Sequence, residues 1–317
     1  MKKTLIVLAL LASFQVADAQ SNVNSAAKAV ESALAASRNE KKATKVATWM
    51  KLAQTYLDAY AAPAGNVWLG ADMNALQLSM GGEKPTSVEV VTLNGAQYTK
   101  QVYENKNLYF NANGQLSVIE VVKPVVENAL PKALEAYKKA YELDEKHSKD
   151  KDISAGIKTI SEKLNQEAYN AYTLGDVKKA EEFFEAAYEA AAQKPYAQID
   201  TNSLYNAAFT SWSTENFSKA KTMFDKCLGY GYYGDGGEVF AKLSDCVSHI
   251  DTTAAGKVAA KDYLEQGFQK FPTSESIVFG LINYYMTSGE GTDRLFELLQ
   301  QAKATSPDNA SLYYVEG

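Results

Sequence analysis

Residues 177–187 read Val-Lys-Lys-Ala-Glu-Glu-Phe-Phe-Glu-Ala-Ala, and within them Ala180, Phe184 and Ala187 stand at i, i+4 and i+7. That spacing places all three on one face of an α-helix. The small residues let a neighbouring helix approach, and the ring between them fills the space so opened. Forty residues on, Ala220, Phe224 and Cys227 repeat the set, and after the same interval come Ala260, Leu264 and Gly267. An earlier copy reads Ala133, Tyr137, Ala140, and a looser one reads Leu295, Leu299, Ala302. A small-large-small set recurring at a fixed period predicts stacked helices.

Each set is preceded by a second helical stretch and a short turn. Tyr169 to Tyr172 runs into Leu174-Gly175-Asp176, and Leu204 to Trp212 runs into Glu215-Asn216-Phe217. Gly, Asn and Asp suit a reversal between antiparallel helices because they tolerate left-handed backbone and cap the following helix.

With these pieces in place the chain resembles the tetratricopeptide repeat family, whose pattern is W-x2-L-G-x2-Y in a first helix and A-x3-F-x2-A in a second. Trp49, Leu52, Ala53 and Tyr56 match the first helix with Ala in place of Gly, and Leu204-Tyr205-Asn206-Ala207-Ala208 matches it more loosely. Pro272 and Pro307 stand at the closing position of the last two units. The middle units lack that Pro, and their period exceeds the usual one of about 34 residues. The resemblance implies a mainly α fold, an α-α superhelix of about five helix hairpins, whose trade is binding and not catalysis.

The first repeat is interrupted. Its first helix ends near Tyr60 and its second begins only near residue 126. Between them Ser87 to Thr92 alternates and is β-branched, Asn94-Gly95 is a hairpin signal, and Tyr98–Tyr103, Asn107–Phe110 and Gln115–Val122 read as further strands. A meander of about four antiparallel strands is expected there. Ala26, Val30 and Ala33 mark a lone N-terminal helix over residues 23–36, a cover for the first unit. The expected organisation is a signal peptide at 1–19, then that helix and the first helix of repeat 1 within 20–60. A β-rich insertion follows at 61–125, and helical repeats occupy 126–317. Asp308-Asn309 and Leu312-Tyr313-Tyr314 open one more first helix just before the last residue, so a truncated further repeat is expected.

Lys2 and Lys3, the apolar run from Leu5 to Phe14 and the small-x-small Ala17-Asp18-Ala19 form a secretory signal with cleavage after Ala19. No Cys lies near that point, which argues against a lipoprotein, and the periplasm is the expected compartment. The 317-residue chain carries a net charge of −6 and two arginines, Arg38 and Arg294, so no basic stripe offers itself to nucleic acid. Cys227 and Cys246 suit either a disulfide, in an oxidising compartment, or two buried thiols.

Catalytic chemistry is thinly represented. His147 and His249 lie far apart, and HExxH, CxxC and Gly-x-Ser-x-Gly are absent. Gly229-x-Gly231-x-x-Gly234 spells a dinucleotide-binding string, yet it follows a helix where the motif needs a strand, so it reads as an inter-repeat loop. Glu181-Glu182 reads as a solvated helix face. No cofactor, no metal and no catalytic residue is expected. Tyrosines are many, at 20. Tyr205, Phe209 and Trp212 share one helix face, opposite Leu204, Ala207, Ala208 and Ser211, and Tyr169 and Tyr172 take equivalent places one unit earlier. The family resemblance implies a groove floored by these five rings, holding a peptide or helix of a protein partner; the bland alternative is that the rings pack against neighbouring helices. The expected function is thus a non-enzymatic scaffold or adaptor of the bacterial envelope, using the groove, the insertion or both. The rival is a glycan- or nutrient-binding protein that stacks sugars on Tyr and Trp.

Overall fold

The computed structural model describes residues 23–81, 83–289 and 291–305. The expected signal peptide and the expected truncated repeat after Pro307 lie outside them. Among the described residues there are thirteen α-helices and one four-stranded sheet. In chain order these are α1 Val23–Arg38, α2 Glu40–Ala43, α3 Val46–Ala61, α4 Met73–Ser79, β1 Ser87–Leu93, β2 Ala96–Val102, β3 Lys106–Phe110 and β4 Leu116–Val121. The chain continues as α5 Ala129–Leu143, α6 Asp150–Thr173, α7 Val177–Ala191, α8 Thr201–Ser213, α9 Phe217–Gly229, α10 Glu238–Ile250, α11 Ala254–Lys270, α12 Glu275–Ser288 and α13 Thr292–Thr305.

The helices pair as α3/α5, α6/α7, α8/α9, α10/α11 and α12/α13, and each pair packs on the next. This is the α-α superhelix of five hairpins that the tetratricopeptide resemblance implied. The recurring triplets are what hold it together. Ala180, Phe184, Ala187, Ala220, Phe224 and Cys227 are wholly buried, and Ala133, Tyr137, Ala140, Ala260, Leu264 and Gly267 are buried too. Burying one such large side chain contributes on the order of 2 kcal/mol. α1 lays Ala26, Val30 and Ala33 on α3 and so covers the first unit.

The reversals follow a rule that differs in one residue between units. Gly175, with φ +89, ends α6, and its N–H and that of Asp176 return to the carbonyls of Tyr172 and Ala171. Asp176 then caps α7 by accepting from Lys179 N–H. One repeat later Glu215, with φ +63, holds the same place, bonding Trp212, while Asn216 bonds Ser211. A non-glycine residue pays backbone strain in that left-handed region. Gly231 of the glycine string closes α9 in the same way at φ +73, and Gly237, beyond the string, opens α10 at φ +81.

The sheet is an antiparallel meander in the order β1-β2-β3-β4. Leu108, Phe110 and Leu116 on one of its faces pack with Leu76 of α4 into a small core of their own. α4 was not anticipated. It spans seven residues, below the length at which helical periodicity can be recognised, and its start depends on Asp72 capping the N–H groups of Asn74 and Ala75.

Candidate functional site: the row of first helices

The first helices of successive units, α3, α6, α8 and α10, are tied to one another by side chains projecting from their shared row. Tyr60 of α3 donates to Glu167 of α6 at 2.5 Å, and the Lys163 ammonium lies 5.3 Å from the Tyr60 ring centroid. Asn206 of α8 donates to the Tyr169 hydroxyl at 3.0 Å. Tyr205 of α8 donates to Glu238 of α10 at 2.5 Å, and Trp212 Nε1 donates to Asp245 of α10 at 2.6 Å. Lys242, on the same helix between those two carboxylates, places its ammonium 3.5 Å from the Trp212 ring centroid and 5.2 Å from that of Phe209.

The five rings singled out from sequence are therefore all half-buried, and four of them lie against identified neighbours. Tyr169 meets Phe184 edge-on, with centroids 5.1 Å apart. Tyr205 neighbours Phe209, Phe224 and Tyr232, and Phe209 neighbours Trp212. The Tyr205 hydroxyl, the Trp212 indole N–H and one face of Trp212 are engaged by α10, whereas the Tyr169 hydroxyl is engaged by Asn206 of α8. Sequence spacing points to the rings but not to the acidic-basic-acidic row Glu238, Lys242, Asp245 that lies against Tyr205, Phe209 and Trp212. That row could have been found, since its spacings of four and three put it on one helix face.

The insertion joins this row. Asn94, in the β1–β2 turn, donates to the carbonyl oxygens of Tyr172 and Thr173 at the end of α6. Asn170 of α6 donates to the Ile119 carbonyl of β4 at 3.1 Å. The Thr173 and Ile119 carbonyls lie at a helix end and on a sheet edge, where backbone acceptors otherwise lack a protein partner, while the Tyr172 carbonyl also accepts from Gly175 N–H. The sheet is thus fastened across the end of the row, beside Tyr172.

Burial sets the electrostatics. Desolvation raises the Glu167 carboxyl above the ordinary range, opposed by the Tyr60 hydrogen bond and nearby lysines. Desolvation likewise lowers Lys163. The Tyr205 hydroxyl is pushed well up, first by burial and then by Glu238. On the outer helices Lys219 of α9 bridges Glu181 and Glu185 of α7 at 2.6 and 2.8 Å. This corrects the sequence expectation for Glu181: its side chain is buried, with Lys219 of α9 reaching to it, and does not lie on a solvated face.

Cys227 and Cys246 are free, buried thiols in α9 and α10, each raised to about 12 mainly by desolvation. No group of three or more His, Cys, Asp or Glu suited to a metal occurs among the described residues. No helix among them is long and apolar enough to cross a membrane.

No family model matches the chain, and no curated protein matches it in sequence. Among solved structures it is similar to YrrB, described as a TPR protein with an unusual peptide-binding site. The TM-score is 0.35 and the identity 17%, covering 60% of this chain and 84% of YrrB. It is also similar to a chain of the APC/C hetero-tetramer Cut9-Hcn1, with a TM-score of 0.38 and 11% identity, covering 93% of this chain and 46% of that one. The chain thus spans about half the length of the latter.

Proposed function

We propose that the protein is a non-enzymatic scaffold or adaptor of the bacterial envelope, acting in the periplasm and capturing a protein partner along the row of first helices. The observation that carries this is the half-exposed strip from Tyr169 to Trp212 with Glu238, Lys242 and Asp245 beside it. Aromatic surface supplies contact area at low entropic cost, and the flanking charges supply direction. A peptide or helix with alternating apolar and charged residues matches such a strip. The signal-like N-terminus supports export.

Carbohydrate binding is the rival use of the same rings. Sugars need an open ring face, and Lys242 occupies one face of Trp212. That favours a protein ligand.

The test is capture from envelope extract by wild type and by the Tyr205→Ala/Trp212→Ala double variant, with bound proteins identified by mass. Capture should be lost in the double variant while helical circular dichroism persists. Equal capture by both would overturn the reading. Retarded migration of wild type in polysaccharide gels would transfer the strip to glycan binding.

A further inference from the structure

β1 is the free edge of the sheet, and it lacks the devices that usually keep an edge from pairing. Natural edge strands are short, bulged, or carry Lys or Pro. β1 runs for seven residues, Ser-Val-Glu-Val-Val-Thr-Leu, in unbroken register with β2 from Ser87↔Val102 to Leu93↔Ala96. It contains no Pro and no Lys, and its one charge is Glu89. Val88 and Val90 are 58% and 72% exposed.

The pairing shows which face these valines occupy. Val88 is in line with Gln101, Leu108 and Ile119, and Val90 with Thr99 and Phe110. Leu108 and Phe110 face the small core beneath α4. On that face Gln101 and Thr99 of β2 separate the small core from β1, and the two valines of this last strand are left bare.

The backbone parity of the edge follows from the turn. Asn94 and Gly95 both have positive φ, the two-residue turn that closes on a hydrogen-bonded pair, here Leu93 and Ala96. Hydrogen-bonded and non-bonded pairs alternate along an antiparallel ladder. Val91 and Glu89 thus bond inward to β2, and Val88, Val90 and Thr92 turn their N–H and C=O groups outward.

We infer that β1 pairs antiparallel with β1 of a second copy about a two-fold axis through Val90, joining two four-stranded sheets into one. An isologous contact needs a self-complementary strand, and this register provides one. Val90 meets Val90 and Val88 meets Thr92, all with outward-facing backbone groups. Glu89 falls opposite Val91, so the two carboxylates are not directly opposed, and each keeps Lys100 of its own β2 across the ladder. An axis at Glu89 would set like charges against each other, which is unfavourable in cross-strand pairs. An axis at Val91 would set Val88 against the turn residue Asn94. The contact is smaller than a standard interface, so the dimer is a weak one that forms with concentration. It does not depend on the strip proposed to bind a partner.

Sedimentation velocity across a dilution series tests this with the purified protein. Wild type should pass from monomer to dimer. Val90→Lys places two ammonium groups on the axis and should weaken self-association by at least about tenfold. Ile199→Lys, at an exposed apolar residue elsewhere, should leave it unchanged. A Val90→Cys variant should be joined into a covalent dimer by a short bis-maleimide, the native thiols being buried. A wild type that stays monomeric throughout, a Val90→Lys dimer of undiminished strength, or equal loss in Ile199→Lys would each overturn the inference. Failure of Val90→Cys to cross-link while the dimer persists would overturn the register.

Discussion

The tip of the Tyr137 ring in α5 meets the backbone of Gly156 in α6, so closely that a Cβ placed at Gly156 would overlap Tyr137 Cζ. The large member of one triplet thus packs into a notch on the next unit that only glycine provides. Gly156→Ala should destabilise the protein by roughly 1–3 kcal/mol through overpacking. Combining it with Tyr137→Leu should recover part of the loss. Urea unfolding of the two variants measures both; no loss in the single variant would contradict the packing.

Glu215 occupies the left-handed position that Gly175 fills one repeat earlier. Glu215→Gly relieves that strain, and the expected gain is up to about 1 kcal/mol. Gly175→Ala should lose a comparable amount. A fall in midpoint for Glu215→Gly would show that the Glu side chain contributes more than its backbone costs.

Trp212→Phe keeps an aromatic ring, though a smaller one, and removes the donor to Asp245. A hydrogen bond to a charged acceptor contributes about 1.5–3 kcal/mol, and removing the donor leaves the half-buried carboxylate with less compensation. The expected outcome is a lower melting midpoint with unchanged helical circular dichroism. Asp245→Asn in the same background should then cost little, since the pair is already broken.

Glu167 has its carboxyl raised from an ordinary value of 4.5 by burial, so the folded protein holds that proton more tightly than the unfolded chain does. The stability this group adds is fully present below pH 4.5 and is lost as pH rises through the folded value. Glu167→Gln, whose carbonyl can still accept from Tyr60, should remove that decline. Midpoints of wild type and variant should converge at acid pH and diverge toward neutral, the variant being the more stable. Parallel profiles would contradict the assignment.

The Cys227 and Cys246 thiols, raised to about 12, should be nearly inert to a thiolate-specific reagent near pH 8 in the folded state. Both should react in denaturant without prior reduction. A pair that reacts only after reduction would instead be a disulfide.

The repeats were legible because one small-large-small pattern recurs, at Ala180, Ala220 and Ala260 with a constant interval, and every residue of the Ala180 and Ala220 sets is wholly buried. The strands were legible from β-branched alternation and the Asn94-Gly95 turn. What escaped depends on partners distant in the chain. Gly156 is an ordinary helical glycine until Tyr137 is set against it, and Glu181 looks solvated until Lys219 arrives from the next unit. Spacing puts Tyr205, Phe209 and Trp212 on one face of α8. Spacing within α8 carries no information on α10, whose Glu238, Lys242 and Asp245 engage them.

The bonds from Asn94 and Asn170 to their carbonyl partners span 78 and 51 residues of chain. A solenoid without such fasteners can fray from either end, because each unit touches only its neighbours. Here the N-terminal end is laced shut, so opening the first hairpin also means tearing the meander from the second. Unzipping under force or dilute denaturant should therefore begin at the opposite end of the stack, and the two N-terminal units should melt as one.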